Sequence, residues 1–125
     1  MVRQTREGFP WQYRIVRGSD YRAIYDAGRK LHSESFVLFA KSNTLGHHRL
    51  GITVSRKIGS AVVRNRVKRL FRELFRRSAA EIPPSFDLVI NAKRGCALAG
   101  FVKLREEFLA AMLRIGRQGS EGPPG

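Results

Sequence analysis

The stretch from Arg56 to Arg77 constrains this chain more than any other. It holds nine Lys or Arg and one acidic residue, a net of +8 out of +14 for the whole sequence. From about Ser60 to Ala80 its apolar residues Val63, Val67, Leu70, Phe71 and Leu74 fall at i, i+4, i+7, i+8 and i+11. At about 100° per residue they make one stripe centred near 30° from Val63. Arg64, Asn65, Lys68, Arg69, Arg72 and Arg76 lie between roughly 100° and 240° on the same wheel. Arg66, Glu73 and Arg77 flank the stripe on its other side, and Phe75 sits at the boundary. A helix of this kind needs a core on one face and tolerates a polyanion on the other. That pairing points to a nucleic-acid-binding domain.

The remainder of the chain must supply that core. Its 125 residues suffice for one domain, and 42% of them are hydrophobic. Ser19 is a candidate N-cap, and Tyr21, Ile24 and Tyr25 follow at helical spacing before Gly28. Phe36-Val37-Leu38-Phe39, within residues 34–41, reads as a strand. Residues 49–55 alternate Leu50, Ile52 and Val54 with small or polar residues, which predicts a second strand paired to the first across a turn at 43–48. Pro83-Pro84 stops the basic helix. Residues 86–92 predict a buried strand, 95–100 a loop, and 101–115 a second amphipathic helix along Leu104, Phe108, Met112 and Ile115. Residues 1–17 read as a flexible basic arm, with Phe9, Trp11, Tyr13, Ile15 and Val16 as apolar residues able to dock on the remainder; 18–115 read as one domain, and 116–125 as a disordered tail. The order of elements gives an α/β sandwich, with helices on a small mixed sheet.

Several function classes find no support in these residues. No apolar run approaches the ~20 residues that span a bilayer, and residues 1–11 contain no apolar export segment. The single Cys96 cannot form an internal disulfide, which fits a reducing cytoplasm or simply a chain that needs no such link. His47 and His48 are adjacent and read as a surface turn rather than a metal site, and His32 is isolated. Lys93 and Arg94 could lower the Cys96 pKa, but no orienting His lies nearby in sequence. Carboxylates are few and dispersed, unlike the cluster a two-metal nuclease needs. Gly51 and Gly59 form neither a phosphate loop nor a dinucleotide fingerprint. The residues argue against catalysis by this polypeptide.

Recognition of shape as well as charge is suggested by Arg64-Asn65-Arg66, since Asn both donates and accepts. Arg56 and Lys57 stand just before the helix start, where exposed amides add positive potential. The run Lys57-Ile58-Gly59-x-Ala61-Val62-x-Arg64-Asn65-Arg66-x-Lys68-Arg69-Leu70-x-Arg72 closely resembles the signature of the bacterial ribonuclease P protein subunit. The likeness extends to Asp20-Tyr21-x-x-Ile24-Tyr25-x-x-Gly28, to the strands at 36–39 and 49–55, and to Asp87-Leu88-Val89-Ile90, covering roughly residues 14–115.

The resemblance implies an αβββαβα fold with a left-handed βαβ crossover, as in a domain of a small-subunit ribosomal protein. It implies a basic, non-catalytic protein subunit of the endoribonuclease ribonuclease P. Its partners would be the catalytic ribonuclease P RNA and precursor tRNA, with no membrane and no small-molecule substrate. The RNA, with Mg²⁺ that it mainly binds itself, would release the 5′ leader. Carried onto this chain, Arg56, Lys57, Arg64, Asn65, Arg66, Lys68, Arg69, Arg72 and Arg76 would face RNA. Tyr21, Tyr25 and Phe39 would line a leader-binding cleft, with core packing as the other reading of all three. Many relatives carry Arg where this chain has Lys93, and Tyr where it has Phe39. The alternative function is a ribosomal-type rRNA-binding protein with no part in cleavage.

Overall fold

The computed structural model describes residues 11–78 and 85–120. A 3₁₀ turn, Trp11–Tyr13, leads into α1, Gly18–Ala27. The strands β1, Arg29–His32, β2, Phe36–Ser42, and β3, Arg49–Thr53, follow. A second 3₁₀ turn, Arg56–Ile58, precedes the basic helix α2, Ala61–Ser78. Then come β4, Phe86–Ala92, the short α3, Cys96–Ala99, and α4, Phe101–Ser120. This is the mixed α+β arrangement expected, with a four-stranded sheet ordered β1-β2-β4-β3.

Pairing in the sheet differs from the expected hairpin of residues 34–41 with 49–55. β4 lies between those two strands, antiparallel to β2 and parallel to β3. The reason is burial on both faces, with Asp87 paired to Arg49 and the rest of the run apolar. Phe86 through Ile90 are all buried, so β4 takes the central position, where both faces are covered. The partner of β2 on its other side is β1, a strand that periodicity did not reveal. Arg49 and Asp87 begin β3 and β4 and are register partners. Asp87 accepts from Arg49 Nε at 2.9 Å and Nη2 at 2.8 Å, and from Asn43 Nδ2 at 2.8 Å. The turn at 43–48 is thereby tied to β4 rather than serving as a tight hairpin.

The two faces of the sheet are unequal. Leu38, Leu50, Leu88 and Ile90 project to one side, where Val67, Phe71 and Leu74 of α2 and Leu104, Phe108 and Met112 of α4 close the main core. Phe75 is 5% exposed, so it belongs to the core rather than its boundary. Among the described residues, the other face carries only Ile15, Ile24 and Val89 as buried apolar residues, with Tyr21 and Phe39 packed against them. One fully buried residue, Ile24, anchors α1. Gly28 lets it approach: a Cβ there would lie 2.5 Å from the Ile24 carbonyl oxygen and 3.0 Å from that of Ala40.

Other boundaries also differ. Arg17, not Ser19, occupies the N-cap position of α1, and no side chain caps it. The arm expected over 1–17 lies partly outside the described residues. Within them it is docked: Ile15 is 4% exposed, and its N–H donates to the Leu50 carbonyl at 3.0 Å beside an Arg14–Leu50 bridge. The 95–100 loop contains a helical turn, α3. Helix α4 runs through Gly116 to Ser120, beyond the predicted end at 115; residues 121–125 lie outside the described part. So does Pro83-Pro84. His48 is buried at 6% exposure, stacked on Phe86 with its Nδ1 accepting the Phe86 N–H at 3.0 Å, so it is not a surface turn residue.

Candidate nucleic-acid interface

Ser60 starts α2, its hydroxyl accepting the Val63 N–H at 3.3 Å. Arg64 folds back, donating from Nη1 to the Gly59 carbonyl at 2.9 Å. This ties the preceding 3₁₀ turn, which carries exposed Arg56 and Lys57, to the first turns of the helix. Asn65, Arg66 and Arg69 are exposed, and Lys68 and Arg72 are partly covered. Each of these predicted residues thus keeps some solvent exposure, with Arg66 on the opposite flank of the helix from Lys68. Arg76 is different from the rest. It and Arg77 both hold Glu73 at 2.6 Å, so the last turns of the helix carry two cations against one carboxylate. The pair of arginines holds the Glu73 carboxyl below its ordinary range.

The aromatic residues gather on the thinly covered sheet face. Tyr25 is 36% exposed and meets Phe39 edge-on, with centroids 4.8 Å apart. The Lys30 ammonium lies 5.7 Å from the Phe39 ring centre. The Tyr25 hydroxyl donates to Asn91 Oδ1 at 2.9 Å and lies 3.5 Å from Thr53 Oγ1. Tyr21 lies across β3 above Gly51, where any Cβ would come within 2.5 Å of its hydroxyl oxygen. Tyr21 and Phe39 pack against the small core while keeping partial exposure beside Tyr25. Burial pushes the Tyr21 phenol up, as does Tyr25, with the Ile52 main chain partly offsetting them.

A cavity of about 300 Å³ lies beside β3, between Tyr21 of α1 and Lys68 and Arg72 of α2; Arg14, Ile15 and Gly51 also line it. Burial, and then the neighbouring Arg14 guanidinium, push Arg72 below the usual arginine range. Cations crowded this way favour an anion between them. Arg14 was not singled out in the sequence; the alternation of Tyr13 and Ile15 beside it was the available signal. Asn91 was also missed. A lone amide in the run Leu88-Val89-Ile90-Asn91-Ala92 marks a face that is not core.

The remaining reactive groups are structural. Cys96 is fully buried, and burial pushes its thiol up, the reverse of activation by Lys93 and Arg94. Lys93 donates to the Ser33 carbonyl. His47 contacts the Tyr13 ring edge-on at 5.0 Å, and His32 is exposed. Among the described residues, no group of three His, Cys, Asp or Glu could hold a metal, and no helix is long and apolar enough to cross a membrane.

Comparison with known proteins decides the family. Residues 9–116 match the family described as Ribonuclease P. The chain belongs to the ribonuclease P protein family. It is 40% identical over 112 residues to the ribonuclease P protein component of Desulfovibrio desulfuricans, covering 86% of each chain. It is 39% identical over 102 residues to that of Thermotoga maritima, covering 82% of this chain and 80% of the relative. The solved RNase P protein from Thermotoga maritima superposes with a TM-score of 0.75 at 35% identity, over 81% of this chain and 96% of that one. The Staphylococcus aureus RNase P protein gives 0.73 at 33% identity, over 82% and 94%.

Proposed function

We propose that this chain is the protein subunit of ribonuclease P. It binds the catalytic RNA through α2 and holds the 5′ leader of precursor tRNA in the groove between α1 and the sheet. Support comes chiefly from the cavity between α1 and the basic helix, with Tyr21 on one wall and Lys68 and Arg72 on another. A strand of RNA lying on Tyr25 and Phe39 would leave the groove past these cations, which match its phosphates, toward the surface of α2. Stacking contributes roughly 1–3 kcal/mol per base and tolerates any sequence. The basic face contributes by counterion release, which makes the binding steeply salt-dependent.

The hydrolysis belongs to the RNA. Its Mg²⁺ supplies charge neutralisation and an activated water at the scissile phosphodiester, and no residue of this chain is assigned to that metal. The role of the protein is to favour leader-bearing substrate and to lower the Mg²⁺ concentration the RNA needs. Cytoplasmic tRNA maturation is the setting that fits this role.

Cleavage of 5′-labelled precursor tRNA at low Mg²⁺ tests the proposal, with the protein, a bacterial ribonuclease P RNA, and both together. Cleavage at the mature 5′ end only with both present is expected. Cleavage by the protein alone would overturn the non-catalytic assignment. Folded, RNA-bound protein that gives no enhancement would favour an rRNA-binding role instead.

A further inference from the structure

Val62 is apolar and 77% exposed, in the most strongly charged part of the chain. Among the described residues it is the one large exposed apolar side chain on α2. At about 260° from Val63 on the helical wheel it is far from the buried stripe. Asn65, Arg66 and Arg69, its neighbours at i+3, i+4 and i+7, are all exposed on the same side of the helix. Arg56 and Lys57 stand exposed in the turn just before it. The first turn is fixed by the Ser60 hydroxyl, which accepts the Val63 N–H at 3.3 Å, and by Arg64, which donates to the Gly59 carbonyl at 2.9 Å. A β-branched side chain in a helix has one preferred χ1 rotamer, so Val62 is held out rigidly and loses little freedom on contact. Isolated exposed apolar residues are ordinary on a protein surface. This one is framed by an amide and by cations. A nucleotide of RNA offers the matching set: apolar sugar carbons beside a polar 2′-hydroxyl and between anionic phosphates.

We infer that Val62 packs on the carbons of a ribose in the ribonuclease P RNA, so that α2 senses the sugar as well as the phosphate charge. The inference rests on the reading that α2 binds this RNA. Asn65, one turn on and about 5–6 Å away between Cβ atoms, both donates and accepts, as a ribose 2′-hydroxyl does. Arg66 and Arg69 meet the flanking phosphates. Base faces are gripped by aromatic rings or guanidinium planes, and a branched aliphatic group offers neither. The contact is apolar, so it adds to affinity without adding to counterion release.

The test is a salt titration of binding to ribonuclease P RNA by the full chain as wild type, Val62→Ala, Val62→Thr and Arg69→Gln. Val62→Ala removes two methyl groups and should weaken binding about fivefold at every salt concentration. Its slope of log K against log salt should stay that of wild type, whereas Arg69→Gln should reduce the slope by about one. Val62→Thr keeps the shape but exchanges a methyl for a hydroxyl, and should weaken binding about threefold. Ala is the better helix former, so thermal melting of Val62→Ala should show no loss of stability, and weaker binding then cannot come from unfolding. Inorganic polyphosphate carries the charge without the sugar, and its binding should not respond to Val62→Ala. Wild-type RNA affinity in Val62→Ala, a lowered salt slope in that variant, or an equal loss toward polyphosphate overturns the inference while α2 remains the RNA-binding helix. An unchanged slope in Arg69→Gln removes the cationic face itself, and this inference with it.

Discussion

Replacing Gly51 with Ala would place a methyl group 2.5 Å from the Tyr21 hydroxyl oxygen, 2.8 Å from Cζ and 2.9 Å from Cε1. Ordinary contacts between such atoms are about 3.5–4.0 Å, so the ring must withdraw by about 1 Å. Ile15, Ile24 and Val89 sit behind it, and the Ile52 main chain holds its hydroxyl. Overpacking of this kind costs about 1–3 kcal/mol. A loss of unfolded-chain entropy returns about 0.4–1 kcal/mol. The net loss should be about 1–2 kcal/mol, a fall in melting temperature of roughly 4–10 °C. The cause can be isolated by a double-mutant cycle. In a Tyr21→Ala background the clash is gone, and Gly51→Ala should become neutral or stabilising. Thermal melts of the four proteins measure the cycle. An equal fall in both backgrounds would refute the reasoning, because the cost would then have nothing to do with Tyr21.

Asp87→Asn should destabilise by about 2–3 kcal/mol, less than a wholly buried pair because Arg49 retains some exposure and Asp20 lies 3.6 Å away. Burial pushes the Asp87 carboxyl up, but hydrogen bonds from Arg49 and Asn43 outweigh it and hold the group below its usual range. Its folded pKa thus lies below the unfolded value of about 4, so its contribution is complete above that value and lost as pH falls through the folded one. Denaturant titrations should show a shallower acid loss in the variant; an unchanged acid limb would dismiss Asp87 as a source. Arg69→Gln should reduce the salt slope of RNA binding by about one, and Arg76→Gln by less, because Glu73 already offsets Arg76. Equal reductions would show that the Glu73 pair opens on binding. Tyr25→Ala should weaken precursor tRNA by about 1–3 kcal/mol more than mature tRNA, and parallel losses in a titration of both would assign Tyr25 to packing alone.

The basic helix was legible because its apolar stripe and its charge are both local, periodic signals. The strand runs at 36–39, 50–54 and 86–92 were legible for the same reason. Which strands pair was not. The insertion of β4 between β2 and β3 depends on contacts about forty residues apart, such as those of Asp87 with Asn43 and Arg49. Ile15 stands out in the sequence as one of five apolar residues able to dock, but its seat against β3 and in the small core is a tertiary contact that no local pattern specifies. His48 was misread because two adjacent histidines beside Gly46 look like a turn, whereas stacking on Phe86 is a tertiary fact. The cations of α2 could be named in advance because a charged helix face announces itself. Asn91 could not, since its meaning depends on Tyr25 from another element.

The central position of β4 has a consequence for the growing chain. Until residues 86–92 emerge, β2 and β3 have no shared neighbour and the sheet cannot close. The apolar stripe of α2, made earlier, has no completed surface to cover during that interval. Helix α4, which finishes the same core, comes later still. A nascent chain stopped at α2 would thus present a cationic amphipathic helix with its greasy side uncovered, close to the ribosome's own RNA. The apolar stripe of α2 is therefore fully covered only once Phe101–Ser120 has followed β4 out of the ribosome.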